Sequence, residues 1–511
     1  MRVRYQRGPA GRGGAAGRVS GWSWRVIVSI RRAYGATAHG GRDPLGDGSV
    51  ALMAAVTAVA ASRGDAIVGF ACGAIVAALT LAGGGRGRVR LAGLLLVLAG
   101  LAGVQGQRAA AGLEPDALGS FEGWARVVDD PQPYAGSTRV VLDVGGERYE
   151  MWARGRARRS RVESWRGGEQ VLVQGERVAL GDERRARVAW QHVVGEFQLE
   201  WVADRSGGGP VDRASNRVRA AIERGAAVLP GDDGALFRGL VVGDDRDQPR
   251  EMIDRFRASG LSHLTAVSGQ NVAFVLAAAG PLLRVLRPWV RWVVTLGLIG
   301  WFVSLTRFEP SIVRAGAMAA LSATGFWLGR DRSPSRLLGW AVTGLVVVDP
   351  LLVRSVGFWL SVGATAGVAV VGPWLAARLA WLGRLATPLG VTLGAQVGVV
   401  VPAVWVFGRL PLVAVPANVV AVPVAGFVML YGLPAGLVAG LVPSAAPVVM
   451  WPCRVGVRWV DTVAVVAERA EPGGAATWVG WGVLAVAVIV VAAVRRPAMN
   501  QDRHGDPPAD R

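Results

Sequence analysis

Apolar and polar positions follow two different rhythms along this chain, and the switches between them divide it. Residues 50–62 ("VALMAAVTAVAAS"), 66–83 ("AIVGFACGAIVAALTLAG") and 91–106 ("LAGLLLVLAGLAGVQG") are nearly unbroken apolar runs. A bilayer's hydrocarbon core, about 30 Å thick, takes about 20 helical residues to cross. Inside lipid the backbone must satisfy its own polar groups, so such runs predict membrane helices; the first is short for a full crossing. The pattern returns at 263–283, 289–306, 311–328, 337–353, 356–375 and 389–406, then as a proline-broken pair across 410–442, and finally at 474–494. Arg-rich connectors, "RVLRPWVR" (284–291), "GRDRSPSR" (329–336) and "ARLAWLGR" (377–384), recur after every second span, as does the terminal Arg495–Arg496 pair. Positive loops on one side of a membrane produce that alternation.

Between these blocks the rhythm shortens. Over 107–205 the segment "TRVVLDVGGERYEMWARG" alternates apolar and polar residues on either side of Gly145–Gly146, a hairpin signal. "EQVLVQGERVAL" reads as a second strand pair broken at its glycine. Several short strands in so small a segment predict a β-barrel or sandwich. Residues 206–260 are polar with helical periodicity, as amphipathic helices at the membrane interface or against the bundle would be. The expected fold is a polytopic α-helical membrane protein with an inserted small β domain. Its segments are a basic disordered arm (1–48), N-terminal transmembrane helices (49–106), the β domain (107–205), amphipathic helices (206–260), a transmembrane domain (261–496) and a disordered tail (497–511). With basic connectors held inside, the β domain falls outside the cytoplasm and the C-terminus within it.

Composition sharpens this only in part. The net charge is +19, carried by Arg alone. That balance suits anionic lipid or nucleic acid, but positive-inside loops and an Arg-rich coding habit account for much of it. Cys72 and Cys453 lie far apart in apolar surroundings and imply no disulfide framework. The four histidines are scattered, with no HxH, HExxH or CxxC spacing, and no phosphate-binding Gly-rich loop occurs; no metal, cofactor or built-in ATP motor is expected.

Three sets of residues could carry chemistry. "GLSHLTAVSGQNVAFV" (260–275) places His263, Ser268, Gly269 and Asn271 at the mouth of an apolar run. A Ser–His pair could support intramembrane hydrolysis, but five residues turn about 140° around a helix, so the two do not share a face. Either Ser268 and Gly269 allow close helix packing while Asn271 bonds across helices, or the polar groups line an aqueous path. Arg314, Ser361, Gln396 and Asn418 lie in similar settings, and Arg314 could instead snorkel to the interface. Pro402, Pro411, Pro416, Pro423 and Pro434 interrupt the later spans, as in transport conduits or simple kinks. In the β domain, residues 148–166 interleave Arg148, Arg154, Arg156, Arg158, Arg159 and Arg161 with Trp152 and Trp165. Arginines neutralise phosphates and aromatic faces stack bases; a solvated basic loop would look the same.

Taken together, these stretches resemble one family. "FRASGLSHLTAVSGQNVAFV" is similar to the signature of ComEC-type competence proteins, and so, in order, are "GLVVGDD" (239–245), "EPSIVRAGAM" (309–318), "DPLLVRSVGFWLSVGATAG" (349–367), "AQVGVVVP" (395–402) and "PANVVAVP" (416–423). The resemblance spans roughly 50–495. It implies an OB-like β domain and an inner-membrane channel for single-stranded DNA, with His263, Ser268, Arg314, Asp349, Gln396 and Asn418 on or beside the path. It also implies a DNA receptor, a separate nuclease and a separate ATP-driven motor, is compatible with a homo-oligomer, and assigns no catalytic residue to this chain. Many such relatives carry His where this chain has Asn271, and many append a metallo-β-lactamase-like nuclease whose metal cluster is not expected here. A transporter of another substrate and, less favoured by the spacing, an intramembrane hydrolase are the alternatives.

Overall fold

A computed structural model describes residues 47–63, 65–82, 86–134, 136–265, 269–330, 333–408 and 410–494. The basic arm, but for its last two residues, and the C-terminal tail lie outside them. Three helices come first: α1 (Asp47–Arg63), α2 (Ala66–Ala82) and α3 (Arg86–Ala111). Small residues let them meet backbone to backbone: a Cβ on Gly106 would lie 2.7 Å from the Ala61 carbonyl oxygen.

The chain then forms β1 (Gly119–Val127), the short β2 (Gln132–Tyr134), β3 (Ser137–Val144) and β4 (Glu147–Arg154). Helix α4 (Arg156–Glu163), β5 (Gln170–Ala179), α5 (Asp182–Val188) and β6 (Val193–Ser206) follow. The strands run in the order β1-β5-β6-β4-β3, and β3 returns to β1, which closes a five-stranded barrel. Only the β4–β6 pairing is parallel; the others are antiparallel. Alternation sets the register. Val140, Leu142 and Val144 on β3 point inward with Tyr149, Met151 and Ala153 on β4, and Phe197 and Trp165 fill the centre. The expected hairpin is present: Gly145 and Gly146 take φ of 68° and 95°, the left-handed values a tight β3–β4 turn requires. "EQVLVQGERVAL" differs from expectation, because β5 runs through Gly175 as one strand. Gly175 marks a register shift against β6, and a Cβ there would lie 2.3 Å from the Gln198 carbonyl oxygen.

Beyond the barrel come α6 (Pro210–Ala226), α7 (Asp233–Val242), α8 (Arg250–Ala258) and α9 (Ser262–Thr265). The bundle continues with α10 (Gly269–Arg284), α11 (Pro288–Leu305), α12 (Pro310–Trp327) and α13 (Pro334–Val348). Next are α14 (Val356–Ala366), a π turn (Gly367–Val371), α15 (Gly372–Arg378) and α16 (Ala386–Phe407). Last are α17 (Ala414–Leu441), α18 (Ala446–Val449), α19 (Trp451–Ala470) and α20 (Gly474–Val494). Among the described residues, five stretches are long and apolar enough to cross a membrane: Val89–Ala111, Pro288–Leu305, Val356–Arg378, Ala380–Phe407 and Ala414–Leu441. Shorter apolar helices accompany them, and large apolar side chains such as Trp405 and Val401 face outward, as contact with lipid demands.

Two expectations are corrected here. The proline-broken pair across 410–442 is one helix, α17, with Pro423 and Pro434 inside it. Pro423 and Pro434 supply no N–H to the helix, and near the first of them Trp459 Nε1 donates to the Val420 carbonyl. Helix α19 lies where no element was expected. Its five charged residues break the apolar run, yet Cys453, Gly456, Val457, Val460, Ala464 and Ala467 form one buried stripe against α17.

A tight glycine seam joins α14 and α15 to α16. A Cβ on Gly363, Gly367, Gly394 or Gly398 would fall 2.0–2.8 Å from a glycine carbonyl oxygen across the seam. Backbone therefore meets backbone there, with no side chains between.

Candidate functional site

Arg314 sits one turn into α12 and is 5% exposed. Its Nε donates to Ser361 Oγ on α14 at 2.9 Å, and a terminal nitrogen lies 3.2 Å from Met318 Sδ. Among the described residues no carboxylate forms an ion pair with it. Gly269 opens α10 directly against it: a Cβ at 269 would stand 3.0 Å from the guanidinium and 2.9 Å from the Ala315 Cβ. Asn271, one step further on, is buried and donates to the Leu240 carbonyl on α7 at 3.2 Å. A buried cation without a counter-charge is costly in a membrane domain. Helix N-termini favour anions, so this corner offers a guanidinium, a hydroxyl and the first turn of α10 to a negatively charged group.

The structure brings Gly269, Arg314 and Ser361 together, with Asn271 beside them. Ser268 lies outside the described residues. His263 is exposed on α9. Gln396 is half-buried on α16, and Asn418, buried on α17, donates back to the Ala414 carbonyl at 2.7 Å. Asp349 serves elsewhere. It ends α13, accepts the Leu351 N–H, and meets His192 Nε2 of the barrel at 3.1 Å.

A larger ionic joint ties the barrel to the helices, and no local sequence pattern announced it. Asp130, in the β1–β2 loop, binds Arg219 of α6 at 2.7 Å and Arg307, just past α11, at 3.0 Å, and accepts the Gly167 N–H. Arg219 also approaches Asp244 at 3.7 Å and donates to the Leu305 carbonyl; Asp244 in turn holds Arg246 through two contacts of 2.7 Å. Arg307 reaches Asn216 Oδ1 at 2.6 Å. Burial alone would raise the Asp130 carboxyl, but Arg219, Arg307 and Arg246 outweigh it and hold it well below the ordinary carboxylate range. At Asp244 burial is likewise outweighed, by the Arg246 hydrogen bonds and the charges of Arg219 and Arg246, which bring it down to about 2.

On the barrel surface Arg154, Arg156, Arg158 and Arg161 are exposed at the end of β4 and along α4. Arg159 pairs with Glu163, and Arg148 donates to the Gln191 carbonyl. Trp165 does not present a face to solvent: it is 2% exposed and packs in the barrel core, so its expected stacking role is replaced by a structural one. Trp152 is half-buried, with the Arg184 guanidinium 5.2 Å from its ring centroid and Tyr134 edge-on at 5.9 Å. Tyr134, 65% exposed, was missed because β2 is too short to show alternation, though its aromatic ring in a proline-flanked loop is a usable signal.

Among the described residues no group of three or more His, Cys, Asp or Glu could hold a metal ion. The architecture defines a class: a multi-pass helical membrane protein with a small barrel inserted after its first helices. Residues 240–499 match the competence protein family, and the chain belongs to that family. It is similar to competence protein ComA of Neisseria gonorrhoeae, 28% identical over 52% of this chain and 42% of the relative. It is also similar to the uncharacterised protein YcaI of Escherichia coli (strain K12), 26% identical over 42% of this chain and 30% of the relative. ComE operon protein 3 of Bacillus subtilis (strain 168) is 27% identical over 41% of this chain and 27% of that protein. The chain thus spans less than half the length of these curated relatives. No solved structure matches it.

Proposed function

We propose that this protein conducts single-stranded DNA across the cell membrane during natural transformation. The observation that carries this reading is Arg314, a buried guanidinium with no carboxylate partner among the described residues, lying inside the stretch that matches the competence family. A phosphodiester backbone is the anion that such a conduit would pass, and Arg314, Ser361 and the α10 N-terminus would each meet a phosphate in turn. Asn271, Gln396 and Asn418 support the path as polar groups within apolar helices. Asparagine at 271 does not titrate, so no proton relay is assigned there.

The barrel would receive the strand outside the cytoplasm. Its strand order, its one parallel pairing and the helix between β4 and β5 fit an OB-type barrel, whose open face commonly binds oligonucleotides. Arg154, Arg156, Arg158 and Arg161 supply charge, and Tyr134 and Trp152 supply stacking surface. Uptake by this route would draw on a DNA receptor, a nuclease and an ATP-driven motor, and the last described helix would lead back to the cytoplasmic side.

The test is uptake of labelled DNA in a transformable host carrying the gene. Arg314→Gln leaves a donor for Ser361 where the Arg Nε stood and removes the charge; uptake is expected to fall at least tenfold with the protein still in the membrane. Uptake at the wild-type rate would remove Arg314 from the path. Full uptake in a gene deletion would end the conduit reading altogether.

A further inference from the structure

The connector between β5 and β6 lies across the outer face of β3 and β4, and its attachment is uneven. Its ends are anchored: Leu180 is 5% exposed, and Ala189 is fully buried against Leu113 and Leu351. Between them, α5 has no buried residue. Its hold on the barrel is mainly polar. Arg184 Nε contacts Glu150 Oε1 at 2.5 Å, Arg184 covers Trp152, and Gln191, just past α5, accepts from Arg139 at 2.5 Å. Beneath the cover, the Trp152 indole nitrogen is buried with no hydrogen-bond partner, an unusual cost for an indole N–H. The far end finishes at His192, whose φ of 60° is left-handed and whose ring meets Asp349 of the membrane domain.

We infer that residues 181–188 form a strap that occupies the nucleobase-stacking site of the barrel, and that a single strand binds by displacing it. An unpaired base takes the place of the Arg184 guanidinium on Trp152, with Tyr134 at its edge. The orphaned indole N–H then gains an acceptor, and the exposed Arg154, two residues along β4, faces the phosphates. Glu150, buried under the closed strap, pairs with both Arg139 and Arg184, and Arg139 stays as its counter-charge when Arg184 leaves. Because the strap continues into His192 and Asp349, its displacement is mechanically linked to the end of α13.

This inference rests on the nucleic-acid reading above, and its test separates the two. The full chain in phosphatidylcholine nanodiscs is titrated with a labelled thymidine oligonucleotide at low salt, with hydrogen exchange followed in parallel. Binding is expected to speed exchange in residues 181–188 while β3 and β4 keep their protection. Arg184→Ala removes the cation–π cover and is expected to tighten binding about fivefold. Trp152→Ala in that background is expected to weaken it about tenfold or more, as loss of a stacked base does. Binding with 181–188 slowed, or an Arg184→Ala variant that binds more weakly, overturns the strap while leaving the basic barrel surface intact. No binding by wild type or variant overturns both.

Discussion

Removing the Asp130 carboxylate tests whether the ionic joint or apolar packing holds the barrel on the helices. Asp130→Ala leaves Arg219 and Arg307, 4% and 10% exposed at their side chains, facing each other without their shared anion. Among the described residues Arg219 then keeps one ion pair, the longer 3.7 Å contact to Asp244, beside its hydrogen bonds to the Val242 and Leu305 carbonyls. Deleting one partner of a buried pair costs about 3–5 kcal/mol, mostly from the stranded charge. The lower value corresponds to roughly a 10²-fold rise in the population of the undocked state, at about 1.4 kcal/mol per decade. Hydrogen exchange on the purified protein reads that population directly when opening is fast. Peptides covering residues 127–134 and 164–169 contain the Asp130 loop and the Gly167 N–H that donates to it at 2.8 Å. Their exchange is expected to accelerate by about two orders of magnitude, the lower bound of that pair cost. The β3 and β4 peptides, in the barrel core, are expected to hold their rates. Replacing Asp130 and Arg219 together, Asp130→Leu with Arg219→Met, is expected to recover only part of the loss, since the desolvation of that pair is removed while Arg307 still lacks its anion. Exchange within threefold of wild type in Asp130→Ala would refute the reasoning and leave Ala189, Leu113 and Leu351 as the true attachment.

Three further outcomes are expected. Gly398→Ala places a Cβ 2.0 Å from the Gly363 carbonyl oxygen and is expected to lower the melting midpoint in detergent, whereas Gly344→Ala on α13 meets nothing within 4 Å and leaves it unchanged or higher; equal effects would refute the seam. Asp130 and Asp244 have depressed pKa values when docked, so their stabilisation is complete above the ordinary carboxylate range, near pH 4, and is lost as pH falls towards 2. The protection factor at 127–134, with the intrinsic pH dependence of amide exchange divided out, should therefore fall between about pH 4 and 2, and a fall on the alkaline side instead would contradict the sign. Trp165→Ala should cost the barrel about 3–5 kcal/mol, seen as early loss of β-sheet signal on heating, while Arg158→Ala on the exposed face should change stability by less than about 0.5 kcal/mol.

Much of the membrane architecture was legible because lipid imposes a one-dimensional rule: long apolar runs must be helices. The Gly145–Gly146 hairpin was legible because the turn and the flanking alternation agree. Helix α19 was not, because the expected signal was continuous hydrophobicity, and Arg454, Arg458 and Asp461 interrupt it; only its 453–457–460–464 stripe betrays it. Trp165 misled for the opposite reason: an aromatic in a run of arginines looks like a binding residue until three-dimensional closure puts it inside. The joint was out of reach. Asp130, Arg219 and Arg307 are separated by 89 and 177 positions, and no periodicity links them. Of the candidate conduit residues, Gly269, Arg314 and Ser361 converge, whereas Asp349 serves the barrel contact.

The glycine seam between α14, α15 and α16 has an evolutionary consequence. At Gly363, Gly367, Gly394 and Gly398 the clashing atom is the partner's main chain, which no repacking of side chains can move aside. A single replacement on either helix is therefore not rescued by a compensating replacement opposite; there is no side chain there to shrink. Across divergent descendants these four positions should change rarely and independently of one another, without the paired substitutions that mark side-chain contacts. Drift should concentrate instead on the outward-facing flanks of the same segments, where more than half of the Val370 and Val397 surface is exposed.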